Sequence, residues 1–210
     1  MLGTERIIEQ KYLQKSITYD AYKQLVEDLL AEGKATGPLQ SEAMVHYSQL
    51  NVQRMHRVEK TIEVLPEVKE QLIGVNRPQT WLVLSEGWCG DAAQSLPVMK
   101  ALADLNPNIG LRVLLRDENP ELIDQYLTNG IARSIPKLIA VDPTTGSVLF
   151  TWGPRPMVLQ ETFYGMRSEG LPYDVIKEEL QRWYNKDKTV TIQRELATLA
   201  SATSTETSKP

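Results

Sequence analysis

Cys89 is the only cysteine in this 210-residue chain, and polar or permissive residues crowd around it. Glu86 and Gly87 precede it, Trp88 abuts it, and Gly90 and Asp91 follow. A thiolate is a nucleophile toward disulfides and other electrophiles, whereas a protonated thiol is nearly inert. The chemistry open to this chain therefore depends on what sets the charge of one sulfur. No internal disulfide can form, so a dithiol cycle within the chain is excluded.

Two elements must hold that sulfur. Trp81–Leu84 is a short apolar run with the length of a buried strand, and Ser85-Glu86-Gly87 breaks the pattern and permits a sharp turn. Beyond Asp91, the residues Ala93, Leu96, Val98, Met99, Leu102 and Leu105 supply the apolar side of an amphipathic helix. Cys89 then lies where a strand's end meets a helix's first turn. Unpaired N–H groups and the helix dipole favour negative charge there, by about 1–2 kcal/mol. That is enough to bring a thiol from about 8.5 to roughly 7 or 7.5. Glu86 and Asp91 push the other way, so the expectation is a reactive but not extreme thiol. The place before a helix favours a functional sulfur over a small buried hydrophobe.

The composition narrows the classes. Apolar residues make up 41% and charged residues 24% of a chain with net charge −4, which suits a globular protein and gives no attraction to phosphate polymers or anionic membranes. Neither nucleic acid nor membrane is expected as a partner. No apolar run approaches a membrane span, and the N-terminus lacks a signal-peptide core. One cysteine suits a reducing compartment, so a cytoplasmic location is expected. His46 and His56 stand ten apart without cysteine partners, so no metal site is expected. No phosphate-cradling glycine loop and no serine–histidine–carboxylate set is present, and no cofactor is expected.

Along the chain, Ile7, Ile8, Tyr12 and Leu13 fit one or two helical turns, and Thr18 can cap a helix over Tyr19–Glu32. Ser41 to about Thr61 reads as a longer helix with a core stripe of Val45, Val52, Met55, Val58 and Ile62. Its other side holds His46, Leu50, Arg54 and Arg57, either a basic surface able to receive an anionic thiol or a solvated face. Pro66 to Ile73 is a short helix. Ile109–Leu115 reads as a second strand parallel to the first, and Arg116 at its end either faces the cleft or pairs with Asp117 or Glu118. A helix follows Pro120. Lys137–Val141 and Ser147–Trp152 form a hairpin across the turn Asp142–Gly146. Arg155, held between Pro154 and Pro156, can reach a ligand or cap a helix. A loop with Gly165, Gly170 and Pro172 leads to a helix over Tyr173–Lys186. A shorter helix over Thr191–Leu199 precedes a small, polar tail from Ala200 expected to be disordered.

The order strand, Trp88-Cys89-Gly90, helix, then Ile135-Pro136 opening a strand resembles the thioredoxin family. The wording Trp88-Cys-Gly-Asp-Ala92, with Leu114-Leu-Arg-Asp-Glu-Asn119 and Ser134-Ile-Pro-Lys137, is similar to a bacterial thioredoxin-like branch. The resemblance covers about Trp81 to Gly153. It implies an α/β thioredoxin-like fold, a mixed sheet of about four strands flanked by helices. Residues 1–75 would form an N-terminal helical extension, 76–187 the thioredoxin-like domain, and 188–210 a short helix and tail. It also implies a cis Ile135–Pro136 bond beside Cys89. Where thioredoxins carry a second cysteine, this chain has Ala92. The function implied is that of a monothiol protein of cell redox homeostasis. Cys89 is then the catalytic residue, and Trp88, Gly90, Asp91, Ile135 and Pro136 meet the substrate, a protein disulfide or thiol or a small-molecule thiol. Asp91 reads either as a proton relay or as an ordinary first-turn acid. The competing class is a binding or scaffold module that keeps the fold without turnover.

Overall fold

The structure, a computed structural model, describes residues 6–203. Four helices, α1 (Gln10–Lys15), α2 (Tyr19–Ala31), α3 (Glu42–Thr61) and α4 (Pro66–Ile73), precede the first strand, β1 (Gln79–Ser85). Then come α5 (Gly90–Ala103), β2 (Ile109–Leu115), α6 (Pro120–Ile123), β3 (Lys137–Val141) and β4 (Val148–Trp152). Three helices, α7 (Met157–Ser168), α8 (Tyr173–Asp187) and α9 (Val190–Ala202), close the described chain. None of the described helices is long and apolar enough to cross a membrane.

A run that is apolar on both faces belongs inside a sheet, and β1 is buried at six of its seven positions. It pairs parallel with β2 (Trp81 beside Leu111) and antiparallel with β3 (Leu82 beside Ile139). β4 returns antiparallel to β3, so the sheet order is β2-β1-β3-β4. The fold is therefore a mixed four-stranded sheet flanked by helices.

α5 is the crossover between β1 and β2, and it is not amphipathic as expected. Ala92 to Met99 are buried without interruption, because helices cover the side that a surface helix would turn to water. α3 packs along α5, while α9 packs on α5, α4 and β4. The last helix thus docks inside the fold, with Ile192, Leu196, Ala197 and Ala200 fully buried. Gln79 donates from Nε2 to the Ala200 carbonyl and to Thr203 Oγ1, tying β1 to that helix end. Residues Ala200–Thr203 therefore close α9 rather than begin a tail, and 204–210 lie outside the described residues.

α2 carries its cap as read, Thr18 accepting from the Ala21 N–H, and Ser41 caps α3 in the same way by accepting from the Met44 N–H. The buried face of α3 is more polar than the apolar spacing implied, since Ser48 and Asn51 lie beside Met55 and Val58. The segment after Pro156, read as a loop, is the helix α7, with Gly165 inside it. Leu159, Phe163 and Met166 give it a core-facing stripe at helical spacing. α7 pairs with α8 as a hairpin, and that hairpin walls one side of a cleft over Cys89.

Candidate functional site

Cys89 is the N-cap of α5, and its sulfur accepts a 3.4 Å hydrogen bond from the Ala92 N–H. Its thiol in turn donates to the Ile135 carbonyl at 3.3 Å. The peptide bond joining Ile135 to Pro136 is cis, and so is Gly153–Pro154. The two proline loops abut: a Cβ on Gly153 would lie 2.3 Å from the Pro136 oxygen. Gly153 also has φ +106, which L side chains rarely adopt. Trp88, Cys89, Gly90, Asp91 and Ile135 all face the same cleft, whose volume is about 1200 Å³.

The electrostatics overturn the expected neutral-pH thiolate. Cys89 is 7% exposed, and burial, then the nearby Asp91 carboxylate, push its thiol up to about 12. The N–H groups of Ala92 and Asp91 and the Arg155 guanidinium pull back, but by less. The helix terminus acts in the direction expected. Desolvation by the Ile135 loop and the surrounding core outweighs it.

Asp91 holds the first turn of α5 to the segment after β4. Arg155 Nη2 lies 2.7 Å from its Oδ2, with both side chains 12% exposed. Tyr184 of α8 donates its hydroxyl to Oδ1 at 2.8 Å. Burial raises the Asp91 carboxyl, with Arg155 and then Tyr184 opposing. Arg155 is thus neither free for a ligand nor a helix cap; it ion-pairs with Asp91, donates to Gln160 Oε1 at 3.1 Å and stacks over Phe163 at 4.3 Å. Its buried Nε has no partner among the described residues.

The turn before the cysteine is held from α3 and the preceding loop. Asn51 donates to the Gly87 carbonyl at 3.0 Å, and Thr36 Oγ1 accepts from the Gly87 N–H at 2.9 Å. Arg54 donates to Asn51 Oδ1 at 2.8 Å and reaches the cleft beside Gly90, where a Cβ would lie 3.3 Å from Nη1. Arg57 instead turns to Asn185 and Gln94. Arg116 pairs with Asp117 and stacks 4.9 Å over Trp88. The sequence reading missed Asn51, Thr36 and Tyr184. Asn51 alone had a signal, since it shares a helical face with Met55 and Val58. No cluster of histidine, cysteine or carboxylate residues fit for a metal ion occurs among the described residues.

Over 94% of the chain and 99% of the other, the structure superposes on a crystal structure of a protein of unknown function from Pseudomonas aeruginosa (TM-score 0.62, 17% identity). An HIV epitope-scaffold structure matches over 89% of this chain and 99% of its own, with TM-score 0.55 and 15% identity. At such identities the likeness concerns the fold alone. No curated protein matches the sequence. A family model described as thioredoxin matches residues 37–170, a span that takes in α3, the sheet, Cys89, both cis prolines and α7. The chain belongs to that thioredoxin family.

Proposed function

We propose that this chain is a monothiol thioredoxin-like protein that forms a reversible mixed disulfide at Cys89 in cell redox homeostasis. One observation carries the reading: the sulfur caps α5, bonds to the Ile135 carbonyl beside cis Pro136, and lines an open cleft. In the first step Cys89–SH and R–S–S–R give Cys89–S–S–R and R–SH, the thiol's proton leaving on the departing sulfur. A second thiol then attacks the adduct, because Ala92 cannot. Trp88 and Gly90 form the floor on which the substrate lies, and the Ile135–Pro136 loop presents backbone to it. Asp91 holds the helix start through Arg155 rather than facing the substrate alone.

The resting sulfur is a thiol, which sets the rate. Burial holds the thiol well above the range of an ordinary cysteine, so little thiolate is present near pH 7 and exchange in the free protein should run more slowly than with a free thiol. The same burial favours a second reading, a thioredoxin-fold binding module whose cysteine is structural.

Alkylation and mixed-disulfide formation followed from pH 6 to 11 separate the two. The exchange reading expects a rate rising about tenfold per pH unit across neutral pH, with one adduct by intact mass, released by free thiol and absent in Cys89→Ser. A folded protein that forms no adduct with any disulfide, while the denatured chain does, leaves the binding module.

A further inference from the structure

The chain is acidic overall, with net charge −4, but its cleft is not. Six arginines and one lysine line it against three carboxylates. Aromatic faces hold several of these cations in place: Arg116 over Trp88 at 4.9 Å, Arg155 over Phe163 at 4.3 Å, and Lys177 between Tyr47 at 5.0 Å and Tyr173 at 5.2 Å. A ring positions a cation without cancelling its charge. Arg116, Arg155 and Lys177 also have carboxylate partners. Two cations make no ion pair among the described residues: Arg54, half-buried beside Gly90 and feeling Asp91 only at longer range, and Arg167, exposed on α7. A concave, low-dielectric wall focuses such charge on whatever enters.

We infer that the cleft binds a small-molecule thiol or disulfide carrying at least two anionic groups. One group meets Arg54 at the floor beside Cys89, and another meets Arg167 toward the rim. The volume of about 1200 Å³ exceeds that of most ligand sites and takes an extended molecule rather than a compact thiol. Trp88, Phe163 and Tyr173 offer apolar surface to its uncharged stretch. Carboxylates and phosphates satisfy the same arginines, so the anionic thiol can be a peptide or a nucleotide conjugate. The identity of the substrate rests on the exchange reading at Cys89; occupancy of the cleft does not.

Probes that cannot exchange keep the two apart. S-methylglutathione, S-methyl-coenzyme A and neutral S-methylpantetheine are titrated calorimetrically into the full chain at low and at high salt. The expected result is that at least one anionic probe binds, that added salt weakens it, and that the neutral probe binds at least tenfold more weakly. Whichever anionic probe is tighter names carboxylate or phosphate as the source. Arg54→Gln and the exposed Arg167→Glu should each weaken it about tenfold, the worth of one charge-assisted hydrogen bond. Equal binding of neutral and anionic probes, or no binding at millimolar concentration, overturns the inference. Neither outcome depends on whether Cys89 reacts, so failure of the exchange reading shows separately in the alkylation profile.

Discussion

Two carboxylates, one buried and one nearly so, flank Cys89, and the protein treats them differently. Asp91, in the first turn of α5, has a partner for each oxygen: Arg155 on one and the Tyr184 hydroxyl on the other. Glu86, in the turn before the cysteine, is fully buried and accepts the Asp117 N–H at 2.8 Å on Oε1. Its Oε2 has no hydrogen-bond partner among the described residues. Burial pushes both carboxyls up. Asp91 is opposed chiefly by a cation; at Glu86 the Thr36 hydroxyl and the Asp117 N–H come first, with Arg116 weaker. The carboxylate after the sulfur is thus built into an ion pair that joins three segments of the chain. The one before it is a buried acid left half-satisfied. Position next to a reactive atom does not by itself say which role a carboxylate has; its partners do.

The largest expected effect breaks the Asp91 side. Arg155→Met leaves a carboxyl buried without its cation and should cost about 3–5 kcal/mol in denaturant unfolding. Adding Asp91→Asn should recover much of that loss, because the uncompensated charge is then gone. A cost below about 1 kcal/mol would mean that Asp91 is already neutral in the fold, and the contrast with Glu86 would collapse.

Next in size is Glu86→Gln. The folded protein holds the Glu86 proton more tightly than the unfolded chain does. Glu86 therefore contributes stability that is fully present below about pH 4.3, the unfolded carboxyl range, and is lost as pH rises through its raised folded value. Glutamine keeps an acceptor for the Asp117 N–H and has nothing to ionise. At pH 7 the variant should unfold on the order of 1–2 kcal/mol less readily than the parent. The gain should vanish below about pH 4. A variant less stable at pH 7 would show that the ionised carboxylate is held by more than the Thr36 and Asp117 contacts.

The strands and most helices were legible because their signals are local. β1 announces itself by an unbroken apolar run, α2 by a capping hydroxyl and helical spacing, α3 by helical spacing, the β3–β4 hairpin by Asp142-Pro143 and Gly146. α7 was missed because Gly165 reads as a breaker, whereas the stripe of Leu159, Phe163 and Met166 against the core overrides a single glycine. The cysteine's position was legible; its charge state was not. The helix dipole belongs to the neighbouring residues, but desolvation comes from the Ile135 loop, 46 positions away, and from packing that no local window contains. The Asp91–Arg155–Tyr184 set is hidden for the same reason, since its members come from α5, the loop after β4, and α8. Arg155 between two prolines did signal a stiff arm, though not what it would grasp.

Tyr184→Phe gives the sharpest test. It removes only the hydroxyl that donates to Asp91 Oδ1, leaves the ring packed beside Trp183 and keeps the Arg155 pair. A hydrogen bond to a charged group is worth about 1.5–3 kcal/mol, but Asp91 Oδ1 would still face the cleft and can recover a water, so a loss near the lower figure is expected. The second readout is the thiol. Without Tyr184 the Asp91 carboxyl loses one group that lowers its pKa, becomes easier to protonate, and repels a Cys89 thiolate less. Alkylation near pH 7 should therefore quicken slightly in Tyr184→Phe. An unchanged or slower rate would show that Asp91 is not what couples Tyr184 to Cys89.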